Sequence, residues 1–373
     1  MFVEGEKYSL IVQGGGQKGA FAAGVLDKFI EVGFDPFSLY IGTSAGALNV
    51  SSFVTKQQGL GLDFVMNYTT RERFFDVSKF INKQQPMDLD WAFEFVNTGE
   101  FPLDIARGKH NLGQDKVALA CITDVEELKD YYYPIFSDNW FDVLKATCAI
   151  PMLYYHDIEF DGKKWIDGGV SASIPVEESY RRGFHNMVVI STIPEGKVNK
   201  PTLMRDSLDK WKSELDQGLE TYIQQLKASG TSEKLREFQK HFSQKLLELK
   251  ADYARLTGPH LEMYREQYNK RDKLKLPEWL HSNEKLQQLM EMQNSRSENK
   301  RSETSHLDML VSHYANHSQI EQFLASPPEE VNLWHIQPEH ELASKGLLSH
   351  KDQILEDYEH GTAMAAKFLQ KVL

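Results

Sequence analysis

Ser44 lies in the run Gly42-Thr43-Ser44-Ala45-Gly46, a Gly-x-Ser-x-Gly spacing. Small residues on both sides let a strand turn sharply into a helix and lift one hydroxyl off the end of a sheet. A serine so placed suits acyl transfer, because its oxygen attacks a carbonyl once a base has taken the proton. The helix start that follows aims the Ala45 amide at the oxyanion such an attack creates. The same pattern also arises by chance in loops, so the flanking elements matter. Here Ser38 to Ile41 reads as a strand, and a helix follows Ser44.

Gly14-Gly15-Gly16-Gln17-Lys18-Gly19 is a second candidate. It follows a strand and opens a helix, so its amides form a nest for an anion. Three readings are open for it. The amides around Gly15 and Gly16 could form an oxyanion hole. Gly14, Gly16 and Gly19 also match the G-x-G-x-x-G of a dinucleotide site, and the loop could be a turn with no ligand. A dinucleotide site expects an acid at the end of the second strand. That place is held by Gly42-Thr43-Ser44, while Glu31 and Asp35 precede the strand.

Trp165-Ile166-Asp167-Gly168-Gly169 puts a carboxyl group at the end of a hairpin strand. Burial raises a carboxyl group's proton affinity, and such a group beside a serine serves as its base. A simple turn is also the commonest role for an Asp-Gly dipeptide. Histidine offers no distinctive partner. His185 follows Asp167 in chain order but lies at the start of a strand, and His156, in the loop before the hairpin, could line the site but better fits a surface or packing role. No His/Asp/Glu cluster has metal-ligand spacing, so neither a metal nor a cofactor is expected.

The elements that must carry these residues alternate. Tyr8 to Gln13 is a β-rich run, Lys18 to Val32 has helical spacing, and Gly33 suits the helix end. Strand, helix, strand, helix predicts a parallel sheet covered on both faces. Lys116 to Thr123 and Tyr131-Tyr132-Tyr133 read as further strands. Asp138 is placed to cap a helix that runs to about Cys148 and stops at Pro151. Ile158 to Ile166 reads as a hairpin about Asp161-Gly162, and Met187 to Thr192 as a buried strand. Leu235 to Leu256 shows apolar spacing of three and four, one long amphipathic helix. Residues 294–305 lack apolar side chains and read as a loop. Val331 to Ile336 returns to strand character, and Lys351 to Leu373 closes as a helix.

The 373 residues carry a net charge of −12, which argues against nucleic acid as a partner. The two cysteines, Cys121 and Cys148, do not make a disulfide framework. The N-terminal residues lack the apolar stretch of a secretory signal, and no apolar run reaches the roughly 20 residues that span a bilayer. A cytoplasmic protein is expected.

Taken together, the glycine loop, the serine turn, Asp167-Gly168-Gly169 and the run Ala146-Thr147-Cys148-Ala149-Ile150-Pro151 resemble the signatures of patatin-like phospholipases, over about residues 8–195. The resemblance implies an α/β fold, a three-layer α/β/α sandwich with a mainly parallel central sheet and a helical C-terminal region. It divides the chain into a core at 7–200, a helical insertion or lid at 201–330, and a returning strand and helix at 331–373. It implies a Ser-Asp dyad without histidine, with Ser44 as nucleophile and Asp167 as general base. Gly14, Gly15, Gly16 and Ala45 would form the oxyanion hole, with Lys18, Gly19, Gly42, Gly46, Gly168 and Gly169 supporting the motifs. The implied substrate is a lipid ester, with peripheral membrane contact compatible with that role. Lys18 stands where the family usually has arginine, so the charge is kept but the planar fork is lost. Ser173 stands near a usual asparagine. Two other functions fit parts of the chain: a nucleotide-binding oxidoreductase built on the glycine loop, and a non-catalytic scaffold whose partner surface is the helical region.

Overall fold

The computed structural model of the protein describes residues 2–3, 5–76, 79, 84–151, 153–196 and 306–373. The expected helix over 235–256 and loop over 294–305 lie outside the described residues, as does most of the 201–330 region.

In chain order, β1 (Tyr8–Val12) leads through a 3-10 turn at Gly16–Lys18 into α1 (Gly19–Val32), and β2 (Phe37–Thr43) leads into α2 (Ala45–Val54). Then come α3 (Leu60–Phe64), α4 (Leu89–Thr98), α5 (Ile105–Leu112), β3 (Val117–Asp124), β4 (Asp130–Pro134) and α6 (Trp140–Thr147). The hairpin β5 (Ile158–Phe160) and β6 (Lys163–Asp167) precedes α7 (Val176–Arg181) and β7 (Asn186–Ile190). The C-terminal segment supplies α8 (His306–Ala325), β8 (Asn332–Ile336) and α9 (Lys351–Val372).

β3, β2, β1, β7 and β8 are parallel neighbours in one sheet, while β4 and β6 pair with β3 antiparallel. The result is a mainly parallel sheet with an antiparallel edge. β1 is buried throughout and apolar except for Ser9, as expected for a central strand covered on both faces. Its side chains divide between the two layers. Tyr8, Leu10 and Val12 join a core with Phe21, Val25 and Phe29 of α1, Phe53 of α2 and Phe368 of α9. Ile11 points the other way, into a cluster with Val176 of α7, Val189 of β7 and Ile320 and Leu324 of α8. These two cores make the α/β/α sandwich that the sequence predicts.

Gly33 ends α1 in the left-handed conformation, with φ of 69°, as its position suggests. β2 runs two residues further than Ile41, so the strand reaches the serine turn directly. The cap of α6 differs from the sequence reading. Asn139 holds the cap position, and Asp138 instead pairs with Lys109 on α5. An aspartate one residue early cannot bring its carboxylate under the first helical amides, so the lysine takes it.

The segment after residue 331 belongs to the same sheet. β8 pairs with β7 along its length, Asn186 opposite Asn332 through Ile190 opposite Ile336. α9 crosses α1 at two glycines. A Cβ on Gly24 would meet the Tyr358 carbonyl oxygen at 2.0 Å, and one on Gly361 would meet that of Phe21 at the same distance. Only residues without a side chain allow two backbones this close.

Candidate active site

The sheet itself brings Ser44 and Asp167 together. β3 residues 119–121 pair with both β2 and β4, and residues 122 and 123 pair with both β4 and β6. A strand has only two edges, so β2 and β6 must share one edge of β3 and meet there end to end. Thr43 closes β2 opposite Cys121, and Asp167 closes β6 opposite Ile122. Each strand thus releases its last residue at the same point of the sheet.

At that point Ser44 Oγ donates a hydrogen bond of 2.9 Å to Asp167 Oδ2. Ser44 has φ of 52° and ψ of −127°, an unusual backbone for a residue with a side chain. Such strain costs on the order of 1–3 kcal/mol and persists only where the surroundings hold it. Here they do. The Ser44 amide donates to Thr147 Oγ1 at 2.8 Å, and Thr147 Oγ1 donates onward to the Cys121 carbonyl at 2.5 Å. Thr43 Oγ1 donates to the Ala172 carbonyl at 2.8 Å. The serine turn is therefore tied to β3, to the end of α6 and to the loop beyond Asp167.

Asp167 is 6% exposed. Oδ1 accepts from the Gly169 amide at 2.6 Å and Oδ2 from Ser44. Burial raises its proton affinity more than those two bonds lower it, and the pKa is pushed up to about 7. A carboxylate in that range can take a proton at neutral pH and hand it back. Its main chain is also fixed: the amide donates to the Ala149 carbonyl, and the carbonyl accepts from Thr123 Oγ1.

The glycine loop lies next to this pair, at the end of β1, the strand beside β2. Gly15 and Gly16 have φ of 152° and 57°, which turn the loop so that α1 can start behind it. Among the described residues no hydrogen bond takes up the amides of Gly15, Gly16 or Ala45. The Gly14 amide does not share that freedom, since it donates to the Ser173 carbonyl at 3.3 Å. Gly14 instead packs against the serine turn, where a Cβ would stand 2.9 Å from the Thr43 carbonyl oxygen.

The supporting positions are close-contact points. A Cβ on Gly42 would meet Ala47 at 2.5 Å, and one on Gly46 would meet the Val12 carbonyl oxygen at 2.4 Å. Gly19 faces Ala45, joining the two helix starts. Gly168 lies against the Cys121 carbonyl, with a Cβ distance of 2.1 Å, and Gly169 supplies the amide that Asp167 accepts. Lys18 ends the 3-10 turn.

Several contacts have no counterpart in the sequence reading. Gln17 is buried and bridges to the C-terminal segment. Its amide donates to the Gly346 carbonyl at 3.0 Å, and its side-chain oxygen accepts from the Ser349 amide at 2.8 Å. Thr147 was legible only as part of a small-residue run. His313, on α8, bonds through Nδ1 to the Gly169 carbonyl at 2.6 Å, across 144 residues of sequence. Nothing local to His313 marks it.

His156 and His185 are exposed, the first against Tyr154 and the second against Tyr180. The Cys148 thiol lies beside Ser44, and burial, followed by the Asp167 charge, pushes its proton affinity up. It is therefore protonated at neutral pH and does not compete as a nucleophile. Among the described residues no cluster of three or more His, Cys, Asp or Glu is arranged to hold a metal ion, and no helix is long and apolar enough to cross a membrane.

Comparison with known proteins divides the chain in two. Residues 10–180 match the family model for patatin-like phospholipases, and residues 305–373 match a domain of unknown function (DUF6363). The uncharacterised protein YjjU of Escherichia coli strain K12 is 36% identical over 207 residues, which cover 55% of this chain and 57% of YjjU. The chain therefore spans little more than half the length of that relative. VipD from Legionella pneumophila, a solved structure, aligns at 14% identity with a TM-score of 0.30, over 57% of this chain and 55% of VipD.

Proposed function

We propose, on the premise that this chain belongs through residues 10–180 to the patatin-like phospholipase family, that it is a serine acyl hydrolase cleaving carboxylic esters of lipids with a Ser44–Asp167 dyad. The observation that carries this reading is the 2.9 Å bond from Ser44 Oγ to a carboxyl group whose pKa is about 7.

In this mechanism Asp167 takes the Ser44 proton as Oγ attacks the ester carbonyl. The amides of Gly15, Gly16 and Ala45 receive the oxyanion, and losing one such donor costs about 3–4 kcal/mol of barrier. Asp167 then returns its proton to the departing alcohol. Water, deprotonated by the same carboxylate, attacks the acyl-serine, and Asp167 passes that proton to Ser44 Oγ as the acid leaves, which restores the starting pair. No imidazole is needed, because the base is already tuned by burial. Phospholipid and lysophospholipid esters are the proposed substrates, met at a membrane surface by a protein that otherwise remains in the cytoplasm. The lid role for residues within 201–330 belongs to the same proposal.

The test is covalent labelling by a fluorophosphonate together with turnover of a short-chain p-nitrophenyl ester. The wild-type chain should label at Ser44, and Ser44→Ala should neither label nor turn over while remaining folded. Undiminished turnover by Ser44→Ala would reject the reading.

A further inference from the structure

We propose that His313 is a positioning residue for the base, and that the C-terminal segment 306–373 is thereby a working part of the active site. The proposal rests on the acyl-hydrolase reading above.

Asp167 is followed by two glycines, and a 3-10 turn at Gly168–Val170 carries the chain away from the site. The Gly169 amide holds Asp167 Oδ1, so the orientation of one peptide group sets the orientation of the carboxylate. Glycine alone does little to restrain such a group. α8 restrains the adjoining Gly169–Val170 peptide group, joined at the Gly169 Cα to the one that holds the carboxylate. His313 Nδ1 approaches the Gly169 carbonyl at 2.6 Å. A carbonyl only accepts, so the ring must carry its proton on Nδ1. One helical turn further on, Asn316 Nδ2 donates to the Val170 carbonyl at 3.4 Å. Gly169 is thus bonded on both sides, its amide to the base and its carbonyl to His313.

The same segment restrains the other half of the site. The Gly346 carbonyl and the Ser349 amide both engage Gln17, next to the free amides of Gly15 and Gly16. A Cβ on Gly16 would fall 2.2 Å from the Gly346 oxygen. That stretch is anchored in turn by Asp357 on α9, which is buried and accepts from the Ala343 and Ser344 amides at 2.8 and 2.9 Å. A region matching a domain of unknown function therefore touches the base turn and the oxyanion loop, which the first half of the chain supplies.

Three full-length variants test the role of His313. An asparagine amide reaches the position of Nδ1, a glutamine amide lies one bond beyond it, and leucine fills the space without a donor. His313→Asn should keep kcat within about threefold of wild type, whereas His313→Leu and His313→Gln should lose about tenfold or more with KM little changed, as expected when a reacting group is misplaced. Melting temperatures identify any variant that fails to fold, and the Asn–Gln pair still decides the matter if leucine is not tolerated. An active wild type in which Asn and Gln perform alike, or Leu matches wild type, overturns the positioning role alone. A wild type that neither labels nor turns over ester overturns the acyl-hydrolase reading and this proposal with it.

Discussion

Thr43 and Asp167 stand opposite consecutive residues of β3, although they reach it from opposite directions. β2 arrives parallel to β3 and β6 antiparallel, so the serine turn and the acid meet over the ladder and not over a flexible loop. The separation of the reacting side chains is therefore set by main-chain hydrogen bonding.

A base on a fixed backbone should be intolerant of side-chain length. Asp167→Glu keeps the carboxylate but adds one methylene in a site that is 6% exposed. It should lose about 100-fold or more in kcat/KM, since displacements of about 1 Å can cost that much. Asp167→Asn should fall at least as far, because an amide cannot take the proton. Steady-state ester hydrolysis by the two variants measures both.

If Asp167 is the base proposed above, activity should rise with pH through an apparent pKa near 7, because a carboxyl group takes a proton only when ionised and its pKa is raised to about 7. The stability effect has the opposite sense. Asp167 binds its proton more tightly folded than unfolded, so between about pH 4 and 7 the native state holds more protons and stability declines as pH rises. The loss is complete above pH 7 and is bounded at roughly 4 kcal/mol. Asp167→Asn should consequently be inactive yet melt higher than wild type at pH 8. Denaturant titrations at pH 5 and pH 8 would show the sign.

Thr147 should matter more than its place outside the dyad suggests. Thr147→Val keeps the shape but deprives the Ser44 amide and the Cys121 carbonyl of their partner. Leaving buried groups unpaired costs about 1–3 kcal/mol each. A drop in melting temperature accompanied by lower kcat is expected, whereas Thr147→Ser should retain most of both.

Gly16 and Gly361 separate activity from stability. Gly16→Ala places a methyl group against the Gly346 oxygen at a residue with φ of 57°. It should impair ester turnover by at least tenfold, a loss comparable to that of a misaligned oxyanion donor. Gly361→Ala forces α9 away from α1 at the Phe21 carbonyl and should destabilise the fold by about 1–3 kcal/mol, the usual cost of overpacking. Parallel measurements of melting temperature and turnover distinguish the two.

Much of the fold is legible because it is periodic. The strand and helix runs from Tyr8 to Val54 are written in local apolar spacing and glycine punctuation, and they form a parallel sheet for that reason. The cap position of α6 lies one residue past Asp138, at Asn139, whose side chain makes no capping hydrogen bond, so side-chain type gives no local signal for where this helix starts. Gly14 matches its motif, yet its amide is committed to Ser173, a partner 159 positions away that no local pattern reveals.

The sequence by itself determined the chemical types: one serine on a tight turn, one acid before two glycines, and a glycine loop opening a helix. These depend on backbone stereochemistry within a few residues, which composition and spacing encode. Only the tertiary structure decided that β2 and β6 meet on one edge of β3, that burial raises Asp167, and that His313 and Gly346 reach back onto the two loops. Those relationships join segments more than 100 residues apart, and they follow from the packing of the whole sheet, which no single stretch of chain contains.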